Sequence, residues 1–340
     1  MNEAGMAERH LLEVNDLKTH FRTERGRITA VDGISFQVGK GEIVGVVGES
    51  GCGKSVTAQS ILRLFDEQVT IHEGHILFEG QDLLALSQSD MHKIRGNHIS
   101  MIFQDPLSSL NPVYTVGNQI AEAIRIHKQV SKKEAYAKVV DLLKLTGIPA
   151  PERRVNEYPH ELSGGMRQRV MIAMALACES RLLIADEPTT ALDVTIQAQI
   201  MGLIVELNRK LDMGVILITH DLGVVAEVCS RVLVMYLGQI VEEADVKSLF
   251  AHPLHPYTRG LMKSIAHIDC DRSQPLHVIE GMVPPLHQIP AGCRFAPRCP
   301  YADDLCRSRM PDLSQVRDGQ KARCWHIDKI TKEDEALHVQ

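Results

Sequence analysis

The chain has 340 residues, 44% of them hydrophobic, and a formal net charge of −6. That length suits one large α/β domain with an appendage, and the mild acidity argues against nucleic-acid binding, which calls for a basic stripe. No apolar run approaches the roughly 18 residues of a bilayer span. The start Met1-Asn2-Glu3-Ala4-Gly5 lacks the basic-then-apolar secretory pattern, so a cytoplasmic protein that meets a membrane only through partners is expected.

In chain order, residues 11–47 read as strand-rich, with Gly26, Gly33, Gly39 and Gly41 at turns. The apolar run Glu42-Ile43-Val44-Gly45-Val46-Val47 predicts a buried strand. It leads into Gly48-Glu49-Ser50-Gly51-Cys52-Gly53-Lys54-Ser55, which fits the G-x-x-x-x-G-K-[ST] phosphate loop. Apolar Val56, Ile61, Leu62 and Phe65 predict a helix after it. The glycines let backbone N–H groups turn inward on phosphates, and the helix N-terminus favours anions. Lys54 is expected to reach the β- and γ-phosphates of ATP, and the Ser55 hydroxyl to ligate Mg²⁺. Cys52, near that helix N-terminus, is expected to have an acidic thiol whose alkylation blocks ATP.

From 105 to 178 the pattern is helical, including Val116 to His127 and Lys132 to Leu145, with Asn111-Pro112 and Tyr158-Pro159 as punctuation. Ser163-Gly164-Gly165 opens an apolar-rich helix over 166–177, where a serine hydroxyl and two glycine N–H groups form a second anion site. Helix capping alone also accounts for Ser163. Arg181-Leu182-Leu183-Ile184-Ala185-Asp186-Glu187 predicts a strand ending in two carboxylates. Ligands in parallel α/β sheets sit beyond the carboxyl ends of strands. Asp186 is therefore expected to hold Mg²⁺ and Glu187 to act as general base on water, although strand ends are also acidic simply where they meet solvent. A further strand over 214–219 ends at His220.

Four of the eight cysteines crowd the tail: Cys293, Cys299, Cys306 and Cys324. Clustered cysteines in a cytosolic chain favour metal over disulfide. Four thiolates suit tetrahedral Zn²⁺ or an iron–sulfur cluster. Residues 294–323 hold seven Arg or Lys against four Asp, a net of +3 that offsets a thiolate-bound centre. The intervals of five, six and seventeen residues are not the tight ferredoxin pattern, so spacing alone favours zinc or no metal. Cys178, Cys229 and Cys270 read as small hydrophobes.

Taken together, the phosphate loop, the Leu162-Ser163-Gly164-Gly165-Met166 stretch, and Asp186-Glu187 followed by Pro188-Thr189-Thr190-Ala191-Leu192-Asp193 resemble the ATPase subunit of an ATP-binding-cassette (ABC) transporter. The resemblance covers residues 11–325. It implies a P-loop NTPase ABC cassette: a RecA-like α/β core with an antiparallel β subdomain and a helical subdomain at about 105–178, together spanning 11–268. A Cys-rich extension follows at 269–340. It implies roles for Gln104, in the loop that senses Mg²⁺ and nucleotide, for His220, which contacts the γ-phosphate, and for Phe21, which stacks on adenine. Asp193 joins the nucleotide contacts. Each subunit's Ser163, Gly164 and Gly165 would cap the γ-phosphate held by its partner, so that ATP joins two subunits.

Met166 stands where the family usually has Gln, a departure that resembles the oligopeptide and dipeptide importers. His255-Pro256-Tyr257-Thr258-Arg259-Gly260-Leu261 and Gly292-Cys293-Arg294-Phe295-Ala296-Pro297-Arg298-Cys299-Pro300 are similar to the same branch, some of whose members hold a [4Fe–4S] cluster. The expectation is the ATPase of a peptide importer, peripheral on the cytoplasmic face of the membrane. It would pair with a homologous ATPase, two membrane permeases and an extracytoplasmic peptide-binding protein. A nickel or other small-solute importer is the alternative. A non-transport ABC ATPase would bring fused cassettes or long inserts, and a nucleotide kinase would leave Ser163-Gly164-Gly165 and His220 without a use.

Overall fold

The computed structural model describes residues 10–24, 26–104, 109–190, 192–264 and 278–338. Cys270 and the expected boundary at 268/269 lie outside them. The strands in chain order are β1 (Leu12–Thr23), β2 (Gly26–Val38), β3 (Ile43–Val47), β4 (Thr70–Phe78), β5 (Gln81–Asp82), β6 (Ile99–Ile102), β7 (Leu182–Asp186), β8 (Gly214–Ile218), β9 (Arg231–Tyr236), β10 (Gln239–Asp245), β11 (Ser314–Arg317) and β12 (Gln320–Ala322). The principal helices are α1 (Lys54–Ile61), α2 (Gln88–Ile94), α3 (Val116–His127), α4 (Lys132–Leu145), α5 (Gly164–Ala175), α6 (Val194–Leu211), α7 (Leu222–Val228), α8 (Val246–Ala251), α9 (Pro256–Lys263), α10 (Asp304–Ser308) and α11 (Ile327–His338).

The chain divides into two compact units. The first takes residues 1–13, 37–43 and 76–218, and the second takes 14–36, 44–75 and 219–340. In the first, β6, β7 and β8 run parallel in that order, with Ile102 opposite Ala185 and Asp186 opposite Ile218. β7 and β8 are five-residue runs buried throughout, as a parallel sheet covered on both faces requires. The helical part of this unit packs α3 on α4 and both on α5. Its helices start where the sequence supplies caps. Ser131 and Glu134 form a reciprocal capping box on α4, and Asp193 accepts from the Ile196 N–H at 2.9 Å on α6.

In the second unit β3 runs parallel to β9, and the sheet continues through β10 and β12 to β11 by antiparallel pairing. Glu242 lies opposite Ala322 and Glu243 opposite Lys321, so the C-terminal segment adds two strands to a sheet built 80 residues earlier (322 − 242). The core here groups Val47, Val232, Val234, Tyr236, Val241, Leu249 and Tyr257 with Phe295. Tyr236, Tyr257 and Phe295 meet with ring centroids 4.7 to 5.5 Å apart. A second sheet of this unit sets β2, β1 and β4 side by side.

Candidate active site

The second unit carries the phosphate loop directly after β3. Gly48 has φ 152° and Gly53 φ 105°. A Cβ on Gly48 would stand 2.3 Å from the Met235 carbonyl oxygen, and one on Gly53 2.8 Å from that of Ala30. The glycines are thus required twice, for backbone conformation and for close approach. Gly53 caps α1, whose first residues are Lys54 and Ser55, so the helix begins two residues before the apolar pattern suggests. Lys54 is buried and its Nζ donates to the Gly48 and Glu49 carbonyls at 2.7 and 3.1 Å. Ser50 and Gly51 are exposed at the loop's tip.

Cys52 corrects an expectation. It is 1% exposed, and burial pushes its thiol up against the opposing pull of Lys54. Desolvation outweighs the helix terminus here, so the thiol is less acidic than an ordinary one rather than more. In the same unit Phe21 is half-buried and meets Phe65 in a T-shaped contact, with ring centroids 4.9 Å apart. His220 is exposed, two residues beyond β8.

The first unit carries the carboxylates. Asp186 ends β7 and is 3% exposed. Glu187 follows with φ 47°, a left-handed backbone uncommon for a non-glycine residue. Its N–H donates to the Ile218 carbonyl at 2.9 Å. Its Oε2 accepts from Gln104 Nε2 at 2.8 Å and from Thr190 Oγ1 at 2.9 Å. Gln104 and Glu187, 83 residues apart in sequence, therefore come together, and Thr190 joins them as a residue the sequence did not single out.

Ser163 caps α5, its Oγ accepting from the Met166 N–H at 3.4 Å. Gly164 faces Leu192, and a Cβ on Gly165 would lie 2.8 Å from Ile196, so this glycine lets the start of α5 approach the start of α6. Ser163, Gly164 and Asp193 are exposed, and Val194 beside them is 83% exposed. This exposed set gives the first unit two helix N-termini and an apolar side chain on neighbouring elements.

Residues 31–190 match the ABC transporter family, and residues 241–306 match the oligopeptide/dipeptide transporter C-terminal region. A probable peptide ABC transporter ATP-binding protein of Sinorhizobium fredii is 56% identical over 94% of this chain and 96% of its own. The chain belongs to the ABC transporter ATP-binding family. An oligopeptide transport ATP-binding protein of Bacillus subtilis is 53% identical over 93% of this chain and 96% of its own. A dipeptide transport ATP-binding protein of Escherichia coli is 49% identical over 92% and 96%. Among solved structures, a dimeric ATP-binding cassette bound to ADP and Pi is similar at a TM-score of 0.62 and 27% identity, covering 69% of this chain and 98% of that one. A cassette of the cbiONQ transporter complex of Clostridium perfringens gives 0.62 and 31%, covering 72% and 92%. As a member of this family the chain is an ATPase.

The four tail cysteines of the ATPase are free of disulfides. The Cys293 N–H donates to the Cys306 carbonyl at 2.7 Å, and Asp303 accepts from the Cys306 N–H at 3.0 Å. Burial, and then the proximity of the other three sulfurs, pushes the Cys324 thiol up to about 12. Cys299 is pushed up to about 11 by burial, with Cys293 and Cys306 adding to it. Four thiols that disfavour one another's ionisation are a donor set that a cationic centre would relieve. Among the described residues, a tighter group joins Asp303, Cys306 and His326, whose ligand atoms lie within 4.8 Å.

Two features of the ATPase carried no local signal. Glu242 is fully buried, and its carboxylate accepts from the backbone N–H groups of Leu254 and His255 at 2.8 Å each and from Gln320 Nε2 at 3.0 Å. Arg298 reaches Glu49 of the phosphate loop with both terminal nitrogens, at 2.7 and 3.0 Å.

Proposed function

We propose that the chain is the ATP-hydrolysing subunit that powers uptake of peptides across the cytoplasmic membrane. The observation that carries this is the extent of the likeness: relatives named for oligopeptide and dipeptide transport align over 92% or more of this chain, including the C-terminal region. Lys54 and the loop N–H groups bind the phosphates, Ser55 and Asp186 hold Mg²⁺, and Phe21 stacks on adenine. Glu187 activates water, held in orientation by Gln104 and Thr190, while His220 meets the γ-phosphate. Ser163, Gly164 and Asp193, being exposed, are presented together with the half-buried Gly165 to the ATP of a partner subunit. ATP drives such closure only through its extra contacts in the closed state, and hydrolysis removes them.

The partners are a homologous ATPase, two permeases and an extracytoplasmic peptide-binding protein. Among the described residues no helix is long and apolar enough to cross a membrane, so attachment runs through the permeases. A groove of about 480 Å³ lined by Met101, Phe103, Met171 and Met174 offers them adaptable apolar contact.

The tail cysteines hold a [4Fe–4S] cluster. The four free thiols are the donor set that such a centre takes, and the Arg and Lys residues around them offset its negative charge. Such a cluster supplies a cross-link or an electron; the residues around it anchor the tail to the sheet.

The test is uptake of labelled dipeptides, longer peptides and Ni²⁺ by cells whose copy of the chain is wild type or Lys54→Ala. Peptide uptake lost in the variant is expected. Loss of Ni²⁺ uptake alone would overturn the peptide assignment.

A further inference from the structure

A carboxylate is an unfavourable neighbour for a polyphosphate, yet Glu49 follows the first glycine of the phosphate loop. The C-terminal segment between Cys293 and Cys299 answers it. Arg298 donates to both Glu49 oxygens in a bidentate pair, the geometry that makes arginine–carboxylate bonds strong and directional. Its own side chain is only 3% exposed and is fixed from behind: Nε donates to the Glu280 carbonyl at 3.0 Å, and the guanidinium lies 5.9 Å from the Tyr236 ring centroid. The Glu49 N–H donates to the hydroxyl of Tyr257, which is fully buried, at 2.7 Å.

A second arginine supports the loop by another route. Arg294, 6% exposed, pairs with Asp32 and donates to the Leu237 carbonyl. Leu237 sits at φ 43°, a strained turn position, and the next residue, Gly238, donates its N–H to the Cys52 carbonyl at 2.8 Å. Both arginines thus end on the loop, one directly and one through the turn between β9 and β10.

We propose that Arg298, backed by Tyr257 and Arg294, is a positioning residue for ATP binding: it cancels the Glu49 charge and holds the phosphate loop in its receptive shape. The proposal rests on the reading of Gly48 to Ser55 as the ATP site. A loop that visits other shapes binds in proportion to its receptive fraction, whereas bound ATP restores the shape, so the loss falls on affinity rather than on turnover.

The test is equilibrium binding of a fluorescent ATP analogue with Mg²⁺ to the full chain, together with KM and kcat for ATP and thermal unfolding. Arg298→Ala is expected to weaken binding and raise KM by about tenfold, with kcat within about twofold. Adding Glu49→Gln should recover most of that loss, because the uncompensated carboxylate is gone. Arg298→Lys, which keeps charge but not the fork, should fall between. Tyr257→Phe keeps the ring packing and should raise KM severalfold even if Arg298→Ala does not fold. Wild-type affinity in Arg298→Ala or Tyr257→Phe would overturn the proposal, as would a lowered melting temperature with unchanged affinity, or no recovery in the double variant. A wild-type chain that fails to bind the analogue would instead overturn the ATP-site reading.

Discussion

His255 makes the second unit acid-sensitive by a calculable amount. The imidazole is 2% exposed, and its Nδ1 accepts from the Tyr257 N–H at 3.1 Å at the start of α9. Phe295 lies 5.7 Å away, Arg323 is the nearby cation, and the Glu242 carboxylate is engaged by the His255 backbone N–H. Burial first, then Arg323, lowers the folded pKa from 6.5 to about 3. The unfolded chain therefore binds a proton that the folded chain refuses. Stability from this group is complete above about pH 6.5 and is lost as pH falls toward 3, by at most about 1.4 kcal/mol per pH unit. Between pH 7.5 and 5 the loss integrates to about 2 kcal/mol. His255→Asn keeps an acceptor for the Tyr257 N–H and cannot titrate. Trp325, the only tryptophan, lies in the same unit, with its indole N–H donating to the Arg309 carbonyl at 3.1 Å, and reports that unit's unfolding. Urea midpoints followed by its fluorescence should fall with pH more steeply in wild type than in the variant. Equal slopes would refute the assignment of a buried neutral imidazole.

Three further outcomes are expected. Cys52 should resist iodoacetamide in the native chain and react after denaturation; rapid native labelling blocked by ATP would show an accessible thiol instead. Gln104→Ala removes a hydrogen bond that orients the Glu187 carboxylate, so steady-state assays should show kcat lowered by about ten- to a hundredfold with little change in KM. Anaerobically purified chain should carry iron with matching sulfide that Cys293→Ser abolishes and His326→Ala spares. Zinc lost in His326→Ala would place the metal on Asp303, Cys306 and His326 instead.

What the sequence made legible follows from the range of each signal. Helices α3 and α4 fall on the residues their pattern marks, because periodicity and the Ser131–Glu134 cap are local. The phosphate loop is equally local, since its glycines carry the positive φ angles that the backbone there requires. Glu49 reads only as loop filling until Arg298 is found on it, 249 residues away. A pair at that separation leaves no mark in either neighbourhood. Glu242 likewise carries no local mark of burial; its carboxylate is held by the adjacent Leu254 and His255 from one segment and by Gln320 from another. Cys52 was misjudged because the helix terminus is visible in sequence and desolvation is not.

The claim that Glu187 is the base of an ATP-joined dimer is tested most directly by gel filtration and phosphate release of Glu187→Gln with Mg²⁺-ATP, beside Lys54→Ala and the homologous partner. The account predicts a Glu187→Gln dimer that retains unhydrolysed ATP, and a Lys54→Ala chain that stays monomeric without nucleotide. Hydrolysis by Glu187→Gln at the wild-type rate would contradict it.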